Sequence, residues 1–300
     1  MEFLQLLATK NVAMVAHDAG GAEILSALAC QHPEWQISYV LAGPALPIFQ
    51  GKLGPINILG MEAALAAADW VMTGTGWQTE LEWQAIRSAK ALGKPVVSFL
   101  DHWVNYRTRF ERNGETCLPD QLCLGDAHAL QLAQQIFPEL PCNLLPNPYF
   151  AEIAASFSHI SVSHQGTHVL YVCEPIAEHA AKQFGNARHW GYTEFDAMAY
   201  CLQHLPRLEA DIRQIVIRPH PAEAKDKYDG LLQASSLPIK VDATQTLSEE
   251  IASADIVCGC NSMALVIASL AKKKVYSCIP PTGPACNLPL PGIQMLRDLV

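Results

Sequence analysis

Arg218-Pro219-His220-Pro221 closes the apolar run Gln214–Ile217, and Glu223 follows two residues later. Proline fixes its own φ and biases the preceding residue toward extended backbone, so His220 is held on a stiff loop. An imidazole held in this way can donate a hydrogen bond to a phosphate oxygen and stabilise a departing anion. Arg218 adds a bidentate contact to such an anion, or it pairs with an acid. The bland alternative is a proline-stiffened loop carrying a surface histidine. The strand end, the two prolines and Glu223 favour the chemical reading.

Gly259-Cys260-Asn261-Ser262 lies between an apolar run and a helical pattern. A helix N-terminus offers free N–H groups and partial positive charge to an anion. Asn261 and Ser262 there are phosphate contacts or ordinary cap residues. His17-Asp18-Ala19-Gly20-Gly21 ends the first apolar run of the chain. Asp18 is a candidate general base toward an acceptor hydroxyl, with His17 as the alternative; the competing role for Asp18 is a helix cap. Gly20 and Gly21 let a ligand approach the backbone, or merely make the turn. Asp101-His102-Trp103 follows another run, where Asp101 paired with His102 would polarise a hydroxyl and Trp103 would stack on a sugar face. Glu80 opens a helical segment, where it binds acceptor hydroxyls or complements the helix dipole. Arg107, Arg109 and Arg112 suit an anion as a set and a solvated face singly. Gly74-x-Gly76-x-x-Thr79 lacks the third glycine of a dinucleotide fingerprint, so no nicotinamide cofactor is expected.

These residues need elements to position them, and the chain reads as two similar halves. Asn11–Ala16, Gln36–Ala42, Asp69–Thr73 and Val96–Leu100 are apolar runs separated by helical patterns, with Gly93-Lys94-Pro95 stopping the helix Glu80–Leu92. Thr167–Cys173, Gln214–Ile217 and Asp255–Cys258 repeat the order. Continuous apolar runs of this kind are strands of a parallel sheet buried on both faces. Ala68–Gly76 and Ala254–Ser262 both read Ala-Asp-apolar-Val, then a turn around glycine, then a helix. The expected fold class is α/β, two Rossmann-like doubly wound domains facing a cleft, at 1–150 and 151–300. The linker is expected near Asn143–Thr167, around Pro146-Asn147-Pro148 and the polar His159–Gly166.

Composition narrows the partners. Half of the 300 residues are hydrophobic and 16% are charged, enough to bury a sizeable core. Twenty Lys and Arg against 29 Asp and Glu give a net charge of −9, which argues against a general nucleic-acid binder. No run reaches the roughly 18 apolar residues of a membrane helix, and the N-terminal MEFLQLLATKN lacks the features of a signal peptide. The ten cysteines are scattered without zinc spacing, so a cytoplasmic protein with reduced core thiols and no metal site is expected. His32, His128 and His204 read as structural or surface residues without partners.

Arg218-Pro219-His220-Pro221-x-Glu223 resembles the histidine–proline motif of bacterial polysaccharide glycosyltransferases of the GT-B fold, the capsule sialyl- and Kdo-transferases and the CDP-glycerol glycerophosphotransferases. Ala254–Ser262 resembles their later turn toward the donor phosphate. Gly125–Ala129 through Phe137-Pro138, then Leu145–Tyr149, resembles their crossing region between domains. The chain departs in being short and in carrying Asn261-Ser262-Met263 where those families pair Ser or Thr. The resemblance implies metal-independent transfer of a sugar from a nucleotide-activated donor, CMP- or CDP-type, to a glycan or small-molecule acceptor, with no cofactor beyond that substrate. Arg218, His220, Glu223, Asn261 and Ser262 would bind the donor; Asp18, His17 and Asp101 would be catalytic; Gly20, Gly21, Glu80, His102 and Trp103 would face the acceptor. A sugar-nucleotide epimerase or hydrolase, and a non-catalytic nucleotide-sugar-binding protein, remain alternatives.

Overall fold

The computed structural model describes residues 3–76, 79–158, 165–224, 226–230 and 237–300. The chain divides into two compact units, Met1–Glu152 and Ile153–Val300. Each is built on a six-stranded, all-parallel sheet.

In the first unit β1 (Asn11–Ala16), β2 (Gln36–Leu41), β3 (Trp70–Thr73), β4 (Val96–Leu100), β7 (Gln121–Leu124) and β8 (Cys142–Leu144) are arranged β2-β1-β3-β4-β7-β8. A parallel bridge from Tyr39 to Ile58 extends the β2 edge. Between β4 and β7, β5 (Glu111–Arg112) and β6 (Glu115–Thr116) form a small antiparallel hairpin. The central strands carry apolar residues on both faces because helices cover both: β3 and β4 are buried throughout, and β1 from Val12 onward. Leu25, Leu28, Phe49 and Trp70 fill the core under β1. Glu80 is an exposed residue at the mouth of the helix Leu81–Ala91, its Oε2 accepting from Gln84 Nε2 at 2.9 Å.

In the second unit β9 (Thr167–Val172), β10 (Ile212–Arg218), β11 (Ile239–Val241), β12 (Ile256–Gly259), β13 (Lys274–Ser277) and β14 (Ile293–Met295) follow the order β11-β10-β9-β12-β13-β14. The first strand lies in the middle and the winding reverses beside it, as in Rossmann sheets. In both units the reversal falls between the first strand and the one that the Ala-Asp-apolar-Val segment opens: β1 beside β3, and β9 beside β12. The internal echo in the sequence is therefore an echo of topology. Ligands of such sheets bind at this switch point, beyond the carboxyl ends of the strands.

The segment expected to be a linker is more ordered. Its start belongs to β8, and Pro148 opens the helix Pro148–Phe157. Proline at the first helical position lacks an N–H that the helix would leave unpaired anyway. Asn147 takes the cap, its Oδ1 accepting from Tyr149 N–H at 3.0 Å. Residues 159–164 of the expected polar stretch lie outside the described residues.

Candidate functional site

In the first unit His17 and Asp18 leave β1 exactly where the sheet reverses, and Thr75 and Gly76 leave β3 beside them. His17 Nδ1 and Asp18 Oδ1 are 2.8 Å apart. Asp18 occupies the N-cap position of the helix Ala19–Gln31, yet its side chain makes no capping hydrogen bond. The backbone N–H of His17 donates to Glu82 Oε1 at 2.7 Å. Gly43 has φ +53°, and a Cβ on it would stand 2.4 Å from His17 Nε2, so only glycine fits both the backbone and the ring.

Glu82 was not legible as a site residue. It is 2% exposed, and its Oε2 has no hydrogen-bond partner among the described residues. Burial raises its pKa above the ordinary 4.5 and Asp18 adds to this, while the His17 N–H opposes it. A Cβ on Gly76 would stand 2.8 Å from Glu82 Oε1 and 3.0 Å from Asp18 Cγ, so two carboxyl groups flank that glycine.

Asp101 leaves β4 and is paired differently from expectation. Its Oδ1 accepts from Arg109 at 2.6 Å and from Thr75 Oγ1 at 3.2 Å, rather than from His102. Arg109 also donates to the Thr75 carbonyl at 2.9 Å. Gly20 makes room for this carboxylate, since a Cβ there would stand 2.1 Å from Asp101 Oδ2. Gly21 packs against Gly74, with a Cβ position 3.1 Å from its Cα. The two glycines thus serve chain packing.

His102 Nδ1 accepts from Trp103 N–H at 2.9 Å, which leaves the proton of a neutral ring on Nε2. Burial lowers the His102 pKa below 6.5, Arg109 lowers it further and Asp101 opposes both. Trp103 is 5% exposed and donates through Nε1 to Asp126 at 2.8 Å, so its ring belongs to the core. The arginines disperse: Arg107 pairs with Glu139, Arg109 with Asp101, and Arg112 holds the carbonyls of Gly76 and Thr79. His32 does have partners, Glu34 at 2.8 Å and a stacked Trp35 ring.

In the second unit His220 follows β10. Its backbone N–H donates to Glu223 Oε2 at 2.9 Å, and its Nδ1 accepts from Ala222 N–H at 3.1 Å. With Nδ1 used as an acceptor, a neutral ring carries its proton on Nε2. Glu223 has no exposed side chain; Lys227 and Tyr228 each donate to its Oε1 at 2.8 Å. It braces the loop from beneath. Arg218 is turned elsewhere, donating to Glu250 at 2.7 Å and to the Gln245 carbonyl at 2.8 Å. Its guanidinium is committed to that acid, the alternative partner that its sequence context left open.

A pocket of about 390 Å³ lies at the carboxyl end of this sheet, lined among others by Glu174, Trp190, Tyr192, His220, Asn261 and Ser262. Ser262 caps the helix Met263–Leu270, accepting from Ala264 N–H at 3.2 Å. Asn261 Oδ1 accepts from Asn287 N–H at 2.9 Å. Several of the expected free N–H groups are already engaged. Cys260 and Asn261 both donate to Glu174 Oε1 at 2.9 Å, across the switch point between β9 and β12. The chain's own carboxylate sits where an external anion was expected. Burial raises the Glu174 pKa above 4.5, and these N–H groups oppose the rise. The only sequence signal for Glu174 was its place directly after an apolar strand.

Two Rossmann-like units with parallel six-stranded sheets, each with polar groups gathered at its switch point, define the GT-B fold class. No protein-family model and no curated protein sequence matches the chain. Among solved structures, the UDP-GlcNAc 2-epimerase of Methanocaldococcus jannaschii superposes with a TM-score of 0.57 at 12% identity, over 89% of this chain and 83% of that one. A putative UDP-N-acetylglucosamine 2-epimerase of Listeria monocytogenes gives 0.59 at 11% identity, over 89% and 79%. The Escherichia coli heptosyltransferase WaaC gives 0.47 at 14% identity, over 95% and 91%.

Proposed function

We propose that this chain is a glycosyltransferase that takes a sugar from a nucleotide-activated donor bound on its second unit and passes it to a glycan or small-molecule acceptor bound on the first. The observation that carries the reading is the His220 pocket. A backbone N–H fixes Nδ1, the buried Glu223 fixes the loop, and the Nε2–H is left to meet a leaving phosphate. Glu174 takes the N–H groups of Cys260 and Asn261 in the turn before the cap residue Ser262, so beside that turn His220 and the Ser262 hydroxyl are the groups offered to the anion. A single phosphate suits that supply better than two, which favours a CMP-type donor over a CDP-type one. On the first unit, Asp18 with His17 is the candidate base, and Asp101 is held in place by Arg109.

A sugar-nucleotide epimerase is the second reading, favoured by the two epimerases whose folds superpose on most of the chain. Thermal shift with CMP, CDP, UDP and GDP tests the shared donor site. A nucleotide at 100 times its dissociation constant stabilises by about 2.7 kcal/mol, and His220→Ala abolishes the shift. The donor site is lost as a proposal if no nucleotide shifts the wild type, or if the variant shifts equally. Product analysis with donor alone then separates the readings: an altered sugar nucleotide in the absence of acceptor identifies the epimerase.

A further inference from the structure

Three cysteines far apart in sequence converge in the core of the second unit. The Sγ atoms of Cys201, Cys258 and Cys278 all lie within 4.8 Å of one another, and the residues are 2%, 0% and 0% exposed. Local periodicity brings them together. Cys201 lies between Met198 and Leu205 on the buried face of the helix Glu194–Leu208. Cys258 pairs with Tyr276 across β12 and β13, and Cys278, two residues beyond Tyr276, returns to the same face of the sheet. The Cys278 N–H donates to the Gly259 carbonyl at 2.6 Å, which fixes the two strand ends that carry two of the sulfurs.

We propose that this cluster is a three-sulfur site for one soft monovalent ion of the Cu(I) type. Metal–thiolate bonds of about 2.3 Å place three sulfurs about 3.8–4.0 Å apart around one ion. The observed spacing meets that with small side-chain adjustments. Thiolates select soft ions, and structural zinc takes four ligands. No His, Asp, Glu or further Cys joins the three sulfurs among the described residues, and the three belong to the core cluster that also holds Tyr171, Met198, Leu205 and Tyr276. A three-coordinate thiophilic ion fits this set. Binding forms three metal–sulfur bonds, releases thiol protons to solvent and leaves copper as Cu(I), so no oxidant or reductant is consumed. Because the thiols are buried, the ion enters as the unit folds or opens.

The site is independent of the proposed sugar chemistry, and so is its test. Cu(I) is offered anaerobically, against the chelator bicinchoninate, to the native chain and to chain refolded from urea. The expected result is one ion retained per chain, a raised melting temperature, and three sulfur neighbours by X-ray absorption of the wild-type protein. Cys201→Ser, Cys258→Ser and Cys278→Ser each lower the affinity on the order of 100-fold, while Cys123→Ser, in the first unit, leaves it unchanged. Failure of both preparations to retain one ion overturns the proposal. So does absorption by nitrogen or oxygen neighbours, or binding of Zn(II) in preference to Cu(I). Should the serine variants not fold, the wild-type stoichiometry and absorption spectrum decide alone.

Discussion

At the residue scale the first unit separates its carboxyl groups by environment. Asp18 stays beside the His17 imidazole, whereas Glu82 is buried with one oxygen unpartnered and its pKa raised. The folded state therefore binds the Glu82 proton more tightly than the unfolded chain does. The stability this contributes is complete below the ordinary value of 4.5 and is lost as pH rises through the raised folded value. Glu82→Gln, a neutral mimic, lacks that loss, so urea midpoints should show the variant gaining on wild type as pH increases. Parallel curves would refute the assignment. Asp101 is held by an ion pair instead, its Oδ1 accepting from Arg109 at 2.6 Å. Arg109→Ala leaves it half-buried without its cation and should cost about 1–3 kcal/mol in urea unfolding. Asp101→Asn combined with Arg109→Met should recover part of that, because no lone charge is then buried.

At the scale of elements, glycines and caps set how strand ends meet helices. Gly20 lies in the first turn of the helix Ala19–Gln31, against the Asp101 carboxylate at the end of β4. Gly20→Ala must displace that carboxylate and should cost about 1–3 kcal/mol by overpacking, read from the thermal midpoint. In the second unit Glu174 joins the end of β9 to the turn after β12. Glu174→Ala leaves two N–H groups without their acceptor and should cost about 1–3 kcal/mol. Glu174→Gln, which keeps an acceptor oxygen, should cost less; equal losses would show that the carboxylate does not hold the turn.

At the scale of the whole molecule, two separately wound units give two independent switch points. A nucleotide that binds the His220 pocket should slow hydrogen exchange at the ends of β9, β10 and β12 and leave the ends of β1, β3 and β4 unchanged. Protection confined to the first unit would reverse the proposed roles. The strands were legible because sheets buried on both faces require unbroken apolar runs such as NVAMVA. The stiff His220 loop was legible because proline acts on its immediate neighbours. Partnership was not, since a hydrogen bond joins residues near in space at any separation along the chain. Glu82 meets His17 across 65 positions, Glu174 meets Cys260 across 86, and Arg109 reaches Thr75 across 34. The amino-acid order alone determined two α/β halves and the polar residues at their strand ends, because periodicity and turn chemistry are local. Only the folded chain decided that Arg218 faces Glu250, that Trp103 is core and that three distant cysteines converge, because burial and pairing depend on which elements pack together.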